Sequence, residues 1–394
     1  HIFAVPITGV LLVSPIARQQ VACGYCVEFA SASGEHFDKL IALGLPVHIV
    51  PIERRLLAVS HLRSIYQLWK LMFQQQYHIV HTHTPIASFL GRLAAALARV
   101  PIVIYHMRGS FWDSPNVIMR RLFNIVEWLS GNWTSHIFTI NCTDAEELVT
   151  RKIVRSEQVT CLHCGSGGVD IQRFNPERFT EADKQQIKQT MGLVNSDLVI
   201  GFIGRLVREK GIFEIITAFK ALIQIFPDLK LVIVGDTLLS ERDQRTNTEM
   251  RQAIKLDQEL ISRVIFTGFR EDIPELMAMM DIVVLPSHRE GFGMILAEAE
   301  AMAKPVVTTD TRGGREAVRA NETGFVVPIG DSIALENALM KLVMNPLLRK
   351  RMGKNGRRFA EKCFDQRAVF EKINTEYHRL LDKNGFSVPD DKSR

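Results

Sequence analysis

Short apolar runs alternate with amphipathic stretches along the whole chain. Runs such as Leu198–Ile203, Leu229–Val234, Ile282–Leu285 and Val306–Thr309 are rich in β-branched residues and read as strands buried on both faces. Similar runs predict strands at 2–5, 26–30, 47–50, 78–81, 102–105, 137–140 and 159–164, and at 264–266 and 325–327. Between them, residues 62–75, 87–97 and 212–225 repeat apolar positions at helical intervals. In the first of these, Leu62, Ile65, Tyr66, Trp69, Met72 and Phe73 share a stripe that predicts core packing. Strand–helix alternation of this kind predicts an α/β chain with parallel, doubly wound sheets.

The alternation pauses once. Residues 175–197 are polar, include Gly192 and read as a linker. The strands therefore gather into a first domain over 1–175 and a second over 196–364. Residues 365–382 make one amphipathic helix, and the polar tail 384–394, with Pro389, is expected to fray.

Composition adds bounds. With 394 residues and 46% hydrophobic positions, the chain can bury two sizeable cores. Its 48 basic and 43 acidic residues give +5, too mild to imply nucleic acid. The distribution is uneven, however. Between 50 and 125 stand Arg54, Arg55, Arg63, Lys70, Arg92, Arg99, Arg108, Arg120 and Arg121, against only Glu53 and Asp113. A basic face there suits anionic lipid or a lipid diphosphate.

The apolar opening, residues 2–17, lacks a basic n-region, holds Pro6 and Pro15, and is too short to span a bilayer. Residues 86–100 are broken by Arg92 and Arg99. The expectation is a cytoplasmic protein, peripheral at most at the inner face of the plasma membrane. Cys23/Cys26 and Cys161/Cys164 are Cys-x-x-Cys pairs that invite a zinc reading. Their strand and loop settings favour reduced core thiols instead.

Two constellations carry chemistry. The first runs Glu290-Gly291-Phe292-Gly293-Met294-Ile295-Leu296-Ala297-Glu298, after the run Ile282–Leu285 and Pro286-Ser287. That order predicts strand, loop and helix, with Gly291 and Gly293 opening the helix so that a phosphate can reach its first N–H groups. A carboxylate in the loop and another a turn into the helix suit a hydroxyl-rich ligand, since each can accept two hydrogen bonds from a diol. The second is Gly204-Arg205-Leu206-Val207-Arg208-Glu209-Lys210-Gly211, between a strand and a helix, where Arg205 and Lys210 form a cationic cradle for a diphosphate.

In this order the two motifs resemble the retaining GT-B glycosyltransferases of family four. Further runs strengthen the likeness: Val80-His81-Thr82-His83-Thr84-Pro85, Gly165-Ser166-Gly167-Gly168-Val169-Asp170 with Phe174, Gly268-Phe269, Pro286-Ser287, Gly313-Gly314-Arg315-Glu316 and Gly324-Phe325. The resemblance is greatest to the branch acting in bacterial capsule, exopolysaccharide or lipid-linked glycan synthesis. It implies two Rossmann-like domains facing a central cleft, with the last helix crossing back to the first. It also implies a nucleotide diphosphate sugar as donor, often UDP-linked, and a lipid-linked sugar as acceptor.

By the same resemblance Glu298 takes the ribose hydroxyls and Glu290 those of the transferred sugar. Thr267-Gly268-Phe269-Arg270 grips the base, and Thr8 and Gly9, in a loop after the first strand, face the donor. His106, closing its strand, lies near the donor sugar, where a histidine can also act as general acid. His81, His83 and Arg108 are candidates for acceptor or cleft contacts, although two-apart histidines can also bind metal. No cofactor is implied. The chain holds no Asp-x-Asp metal motif, so Arg205, Lys210 and the helix amides must meet the charge that grows on the leaving diphosphate. A sugar-nucleotide epimerase of the same architecture, or a catalytically dead partner of a membrane glycan assembly, are the alternatives.

Overall fold

In the computed structural model, the described residues are 1–53, 59–110, 112, 116–163, 165, 167–237, 241 and 243–387. Arg54, Arg55, Asp113, Cys164, Ser166 and the tail from 388 onward, Pro389 included, lie outside them. The chain divides into two compact units: His1–Gly168 with the terminal segment from Arg367, and Val169–Gln366.

Unit 1 contains β1 (Phe29–Ser31), β2 (Val47–Ile49), β3 (Ile79–His83), β4 (Ile102–Met107), β5 (His136–Thr139) and β6 (Val159–Cys161). All pairings are parallel, with β1 beside β2 and β3 to β6 in sequence order. Ile2 joins the two sheets by bridging Ala30 on one side and Thr82 on the other. The expected strand at 2–5 is thus reduced to one residue, because Pro6 at the first helical position starts a helical turn at once. Likewise, Thr8 and Gly9 are not in a loop. Pro6–Thr8 runs on through a wide turn, Gly9–Val13, into the helix Ser14–Ala22. A Cβ on Gly9 would lie 2.4 Å from the Phe3 ring, so this glycine serves core packing.

The helix Ser60–Gln75 buries Ser64, Leu68 and Met72, which pack toward the helix Pro85–Ala98. Leu62, Tyr66 and Phe73 are exposed, whereas Met72 is core and Ile65 and Trp69 pack against it, so half of the expected stripe is core. The buried face lies one position, about 100°, from the apolar one. It includes Ser64, whose hydroxyl donates to Pro51 O (2.7 Å) and Ser60 O (3.0 Å), a role its polarity concealed. Beneath the helix layer, Arg92 and Glu127 form a fully buried ion pair (2.9 Å), with the guanidinium 4.4 Å from the Tyr105 ring centre. Arg92 and Arg108 therefore leave the expected basic face. Arg63, Lys70, Arg99, Arg120 and Arg121 remain exposed. No helix among the described residues is long and apolar enough to cross a membrane.

Unit 2 contains β7 (Leu198–Ile203), β8 (Leu229–Val234), β9 (Val264–Gly268), β10 (Ile282–Leu285), β11 (Val306–Thr309) and β12 (Gly324–Val327). They form one parallel sheet in the order β12-β11-β10-β7-β8-β9. The order reverses between β10 and β7, and in such sheets ligands bind outside the carboxyl ends of the strands at that reversal. The expected linker is part of this unit. Thr180 caps the helix Glu181–Thr190, which packs on the helix Ile273–Met279.

Removing one partner of a buried ion pair strands the other charge and costs about 3–5 kcal/mol, whereas replacing both by apolar residues is often neutral. Glu127→Leu alone should therefore lower the thermal midpoint of unit 1 sharply. The double variant Arg92→Met/Glu127→Leu should recover most of that loss in the same melting experiment.

Candidate active site

Both charged motifs lie at the reversal point of unit 2. Gly204 to Gly211 leaves the end of β7, and Pro286 to Gly293 leaves the adjacent β10. The loops are locked together: His288 N donates to Glu209 O (2.7 Å), and a Cβ on Gly211, whose φ is +70°, would fall 1.9 Å from Pro286 O. Only glycine permits that approach. Gly313 supports the second loop from behind, donating its N–H to Glu290 O (3.1 Å) while its Cα faces the Phe292 backbone. Gly293, at φ +76°, precedes the helix Met294–Ala301, which no side chain caps.

Within this frame Lys210 Nζ stands 2.5 Å from Glu290 Oε2, which also accepts from Ser287 Oγ (3.2 Å). Arg205 is held by Glu241 (2.6 Å) and Glu209 (3.1 Å). Burial works against the Arg205 charge, but Glu241, Glu209 and Glu290 more than offset it and raise the pKa. Arg205, Lys210 and Glu290 are thus one charge network, which joins the two motifs that the sequence presented separately. Glu241, from the loop after β8, is a member that sequence reading missed. Nothing in its local sequence marks it.

Phe292 is buried against the Phe364 ring (5.4 Å between centroids), so its side chain is core and only its backbone is open to a ligand role. Glu298 lies one helical turn in. Burial raises its carboxyl to about 7, with Arg173 pulling the other way. Arg173 also donates to Glu271 O (2.9 Å), just past Gly268 and Phe269 at the end of β9. This arginine links the Glu298 and Gly268–Phe269 regions, and sequence reading passed over it. Phe269 is half exposed and Gly268 has φ +69°.

In unit 1, His81, His83 and His106 are brought together. The His81 and His83 rings stack at 4.4 Å, and His106 is 5.5 Å from His81 and 5.4 Å from His83. His106 lies inside β4 rather than closing it, fully buried, and neither ring nitrogen has a hydrogen-bond partner among the described residues. Burial, then Arg108, hold its pKa well below the usual histidine value. It is therefore neutral at pH 7, which removes the general-acid role while leaving one N–H to donate. His81 and His83 are also held neutral, chiefly by burial. Tyr377, on the terminal helix Gln366–Lys383, bonds His81 Nδ1 at 2.7 Å, a partner the sequence did not reveal.

Arg108 approaches His83 Nδ1 (3.3 Å) and donates to Leu12 O (3.2 Å). Donor atoms of His1, His81 and His83 lie within 4.8 Å of one another. The near-parallel stack of His81 on His83, and the adjacent guanidinium, suit a neutral ligand or an anion better than a cation. A cavity of unit 1 is lined in part by Glu28, His48 and Tyr77, and it reaches His1, His81 and Tyr377 of the histidine cluster.

Residues 183–359 match the family described as Glycosyl transferases group 1, and residues 13–173 match Glycosyltransferase Family 4. The chain belongs to this GT-B glycosyltransferase family. The capsular polysaccharide biosynthesis glycosyltransferase CapM of Staphylococcus aureus is 28% identical over 360 residues, 90% of each chain. An Escherichia coli UDP-Gal:alpha-D-GlcNAc-diphosphoundecaprenol alpha-1,3-galactosyltransferase is 27% identical over 82% of this chain and 81% of its own. Among solved structures, Anabaena Alr3699/HepE in complex with UDP superposes with a TM-score of 0.78 at 23% identity, covering 96% of this chain and 99% of that one. The glycosyltransferase fold and activity class expected from the two motifs therefore stand.

The shifted carboxyl gives a pH test. Because its pKa is raised to about 7, Glu298 keeps its proton at pH 6 and loses it by pH 8. A diol donates to the ionised form, so each pH unit below the pKa weakens binding about tenfold. UDP-glucose, whose diphosphate is ionised throughout, should bind about tenfold more weakly at pH 6 than at pH 8 by calorimetry. Glu298→Gln should bind weakly at both, and an unchanged pH slope in that variant would remove Glu298 from the ligand.

Proposed function

We propose that this glycosyltransferase moves a sugar from a UDP-sugar to a lipid-linked sugar in bacterial surface polysaccharide or glycan synthesis, retaining the anomeric configuration and needing no metal. The observation that carries the proposal is the Arg205–Lys210–Glu290 network at the strand-order reversal of unit 2. The relatives add the substrates: one similar enzyme uses UDP-galactose and an undecaprenol-linked acceptor, and one similar structure holds UDP.

Breaking the bond between the anomeric carbon and the diphosphate leaves negative charge on phosphate oxygens. Lys210 and Arg205 supply positive charge for it, and the uncapped helix at Met294 adds N–H dipoles. Glu290, displaced from Lys210 by the arriving phosphate, accepts hydroxyls of the transferred sugar. Glu298 accepts the ribose diol. Strands lie about 4.8 Å apart, so the end of β9, two strands from β7, is about 10 Å away, a distance suited to a base at Gly268–Phe269. The leaving phosphate takes the acceptor's proton, so the neutral histidines of unit 1 serve as hydrogen-bonding groups for sugar hydroxyls.

One assay tests the chemistry. Lys210→Ala should slow UDP release about tenfold to a hundredfold or more with an undecaprenyl-diphosphate sugar acceptor present, and added magnesium or manganese should not raise the parent rate. Glu290→Gln should lower the rate while sparing free-UDP affinity, because its contacts are to the moving sugar. Proton NMR of the early product should show the donor's anomeric configuration. An inverted product, or a Lys210→Ala rate within twofold of the parent, counts against the assignment.

A lipid-linked acceptor also calls for a membrane-facing surface, and we place it on the helix Val117–Gly131 of unit 1. That helix exposes Val117, Ile118, Ile125, Trp128 and Leu129 beside Arg120 and Arg121. Each arginine near an anionic surface contributes about 1 kcal/mol. Arg120→Gln/Arg121→Gln should therefore weaken co-sedimentation with phosphatidylglycerol vesicles by about thirtyfold, and Trp128→Glu should weaken it further. Equal binding of parent and variants would place the membrane contact elsewhere.

A further inference from the structure

We infer that Cys161 and Cys142 form a peroxide-responsive thiol pair, with Cys161 attacking the oxidant and Cys142 closing a disulfide. Cys161 ends β6, where it registers with Thr139 of β5. Cys142 opens the helix Cys142–Thr150, which begins a few residues past that same strand end. The parallel pairing of β5 and β6 therefore brings together two thiols far apart in sequence, and their Sγ atoms are 2.6 Å apart. Cys-x-x-Cys spacing pointed to Cys164 as the partner of Cys161, and Cys164 lies outside the described residues.

Three features make the pair reactive rather than inert. Cys161 is lowered to about 5, first by the hydrogen bond from Cys142, with burial opposing and His163 assisting. His163 Nδ1 lies 3.1 Å from Cys142 Sγ. Both thiols are half-buried, open to a small oxidant; of the four cysteines in the Cys-x-x-Cys pairs expected in the core, Cys23 is buried, Cys26 is exposed and Cys161 is half-buried. A thiolate that is accessible and beside a resolving thiol is the arrangement that peroxide selects. The donors of Cys142, Cys161 and His163 also lie within 4.8 Å of one another, the spacing of a metal site. Tetrahedral zinc with 2.3 Å bonds would hold two sulfurs about 3.8 Å apart, so the observed separation favours sulfur–sulfur bonding.

The chemistry balances. The Cys161 thiolate attacks one oxygen of hydrogen peroxide, the O–O bond breaks, and the departing hydroxide takes a proton to become water. The resulting sulfenic acid is attacked at sulfur by Cys142, the S–O bond breaks, and a second water leaves with the thiol proton. Two thiols are oxidised by two electrons, and one peroxide is reduced to two waters. The bond ties the first turn of the helix Cys142–Thr150 to the start of the segment that carries Gly165, Gly167 and Gly168, close to the unit boundary.

Mass spectrometry under non-reducing conditions tests this on the full chain. A stoichiometric dose of hydrogen peroxide at pH 7 should remove two hydrogens and join the tryptic peptides 122–151 and 156–173. Cys164→Ser should keep the link, Cys161→Ser should abolish it, and Cys142→Ser should leave a dimedone-reactive sulfenic acid on Cys161. In the parent, the rate of Cys161 alkylation by iodoacetamide should stay level from pH 8 to about 6 and fall near 5. A link through Cys164, oxidation to sulfinate without a link, an alkylation rate still climbing above pH 8, or stoichiometric zinc that blocks the reaction would each overturn the inference.

Discussion

The Arg205–Lys210–Glu290 network of unit 2 depends on one topological fact, the reversal of strand order between β7 and β10. At that point the crossovers that follow β7 and β10 leave on opposite faces of the sheet, and the loops that start them are left side by side above it. The loops then approach so closely that Gly211 cannot carry a Cβ against Pro286, nor Gly313 against Phe292. That contact sets Lys210 beside Glu290, although eighty residues separate them in the chain. Neither side chain selects the geometry. The backbone brings them together, and their charge then fixes the orientation of each.

The two carboxylates of the same short motif are thereby given opposite surroundings. Glu290 sits among cations and a hydroxyl, at a loop that the sheet reversal holds open. Glu298 is drawn into the helix flank, where burial raises it to about 7 and only Arg173 opposes. A group that is ion-paired before the ligand arrives must exchange partners, whereas a group that is poorly solvated gains from any donor that reaches it. Spacing in the sequence shows that both exist. It does not show that one is ion-paired and the other poorly solvated.

Strands buried on both faces were the most legible part of the chain. β7, β8, β10 and β11 fall where the apolar runs begin and end, since all their positions but Leu198 and Lys230 are buried. Legibility failed where one residue does the work of an element. Ile2 bridges two strands by itself, and Pro6 turns the next residues into a helix. It failed again on the helix Ser60–Gln75, where Ser64, its hydroxyl bonded to backbone carbonyls, lies on the buried face while Leu62 is exposed. Of the candidate site, the residues in contiguous motifs were found, and their partners were not. Glu241 and Arg173 come from loops with no periodic pattern, and Tyr377 comes from a helix whose amphipathic pattern does not say what it packs against, so only tertiary structure gives these three a role.

The histidines of unit 1 carry the electrostatic argument furthest. His81, His83 and His106 come from adjacent strands that project side chains to one face, so their rings must pack on one another. Three imidazoles in contact, with Arg108 against them, cannot all be charged, and burial resolves the conflict by keeping each neutral. A neutral imidazole both accepts and donates, which matches a sugar hydroxyl in either sense. The same group as imidazolium would only donate. Burial thus favours hydrogen bonding over proton transfer at these rings, so fixed charges gather at the strand reversal of unit 2, while neutral, two-way hydrogen-bonding groups gather in unit 1.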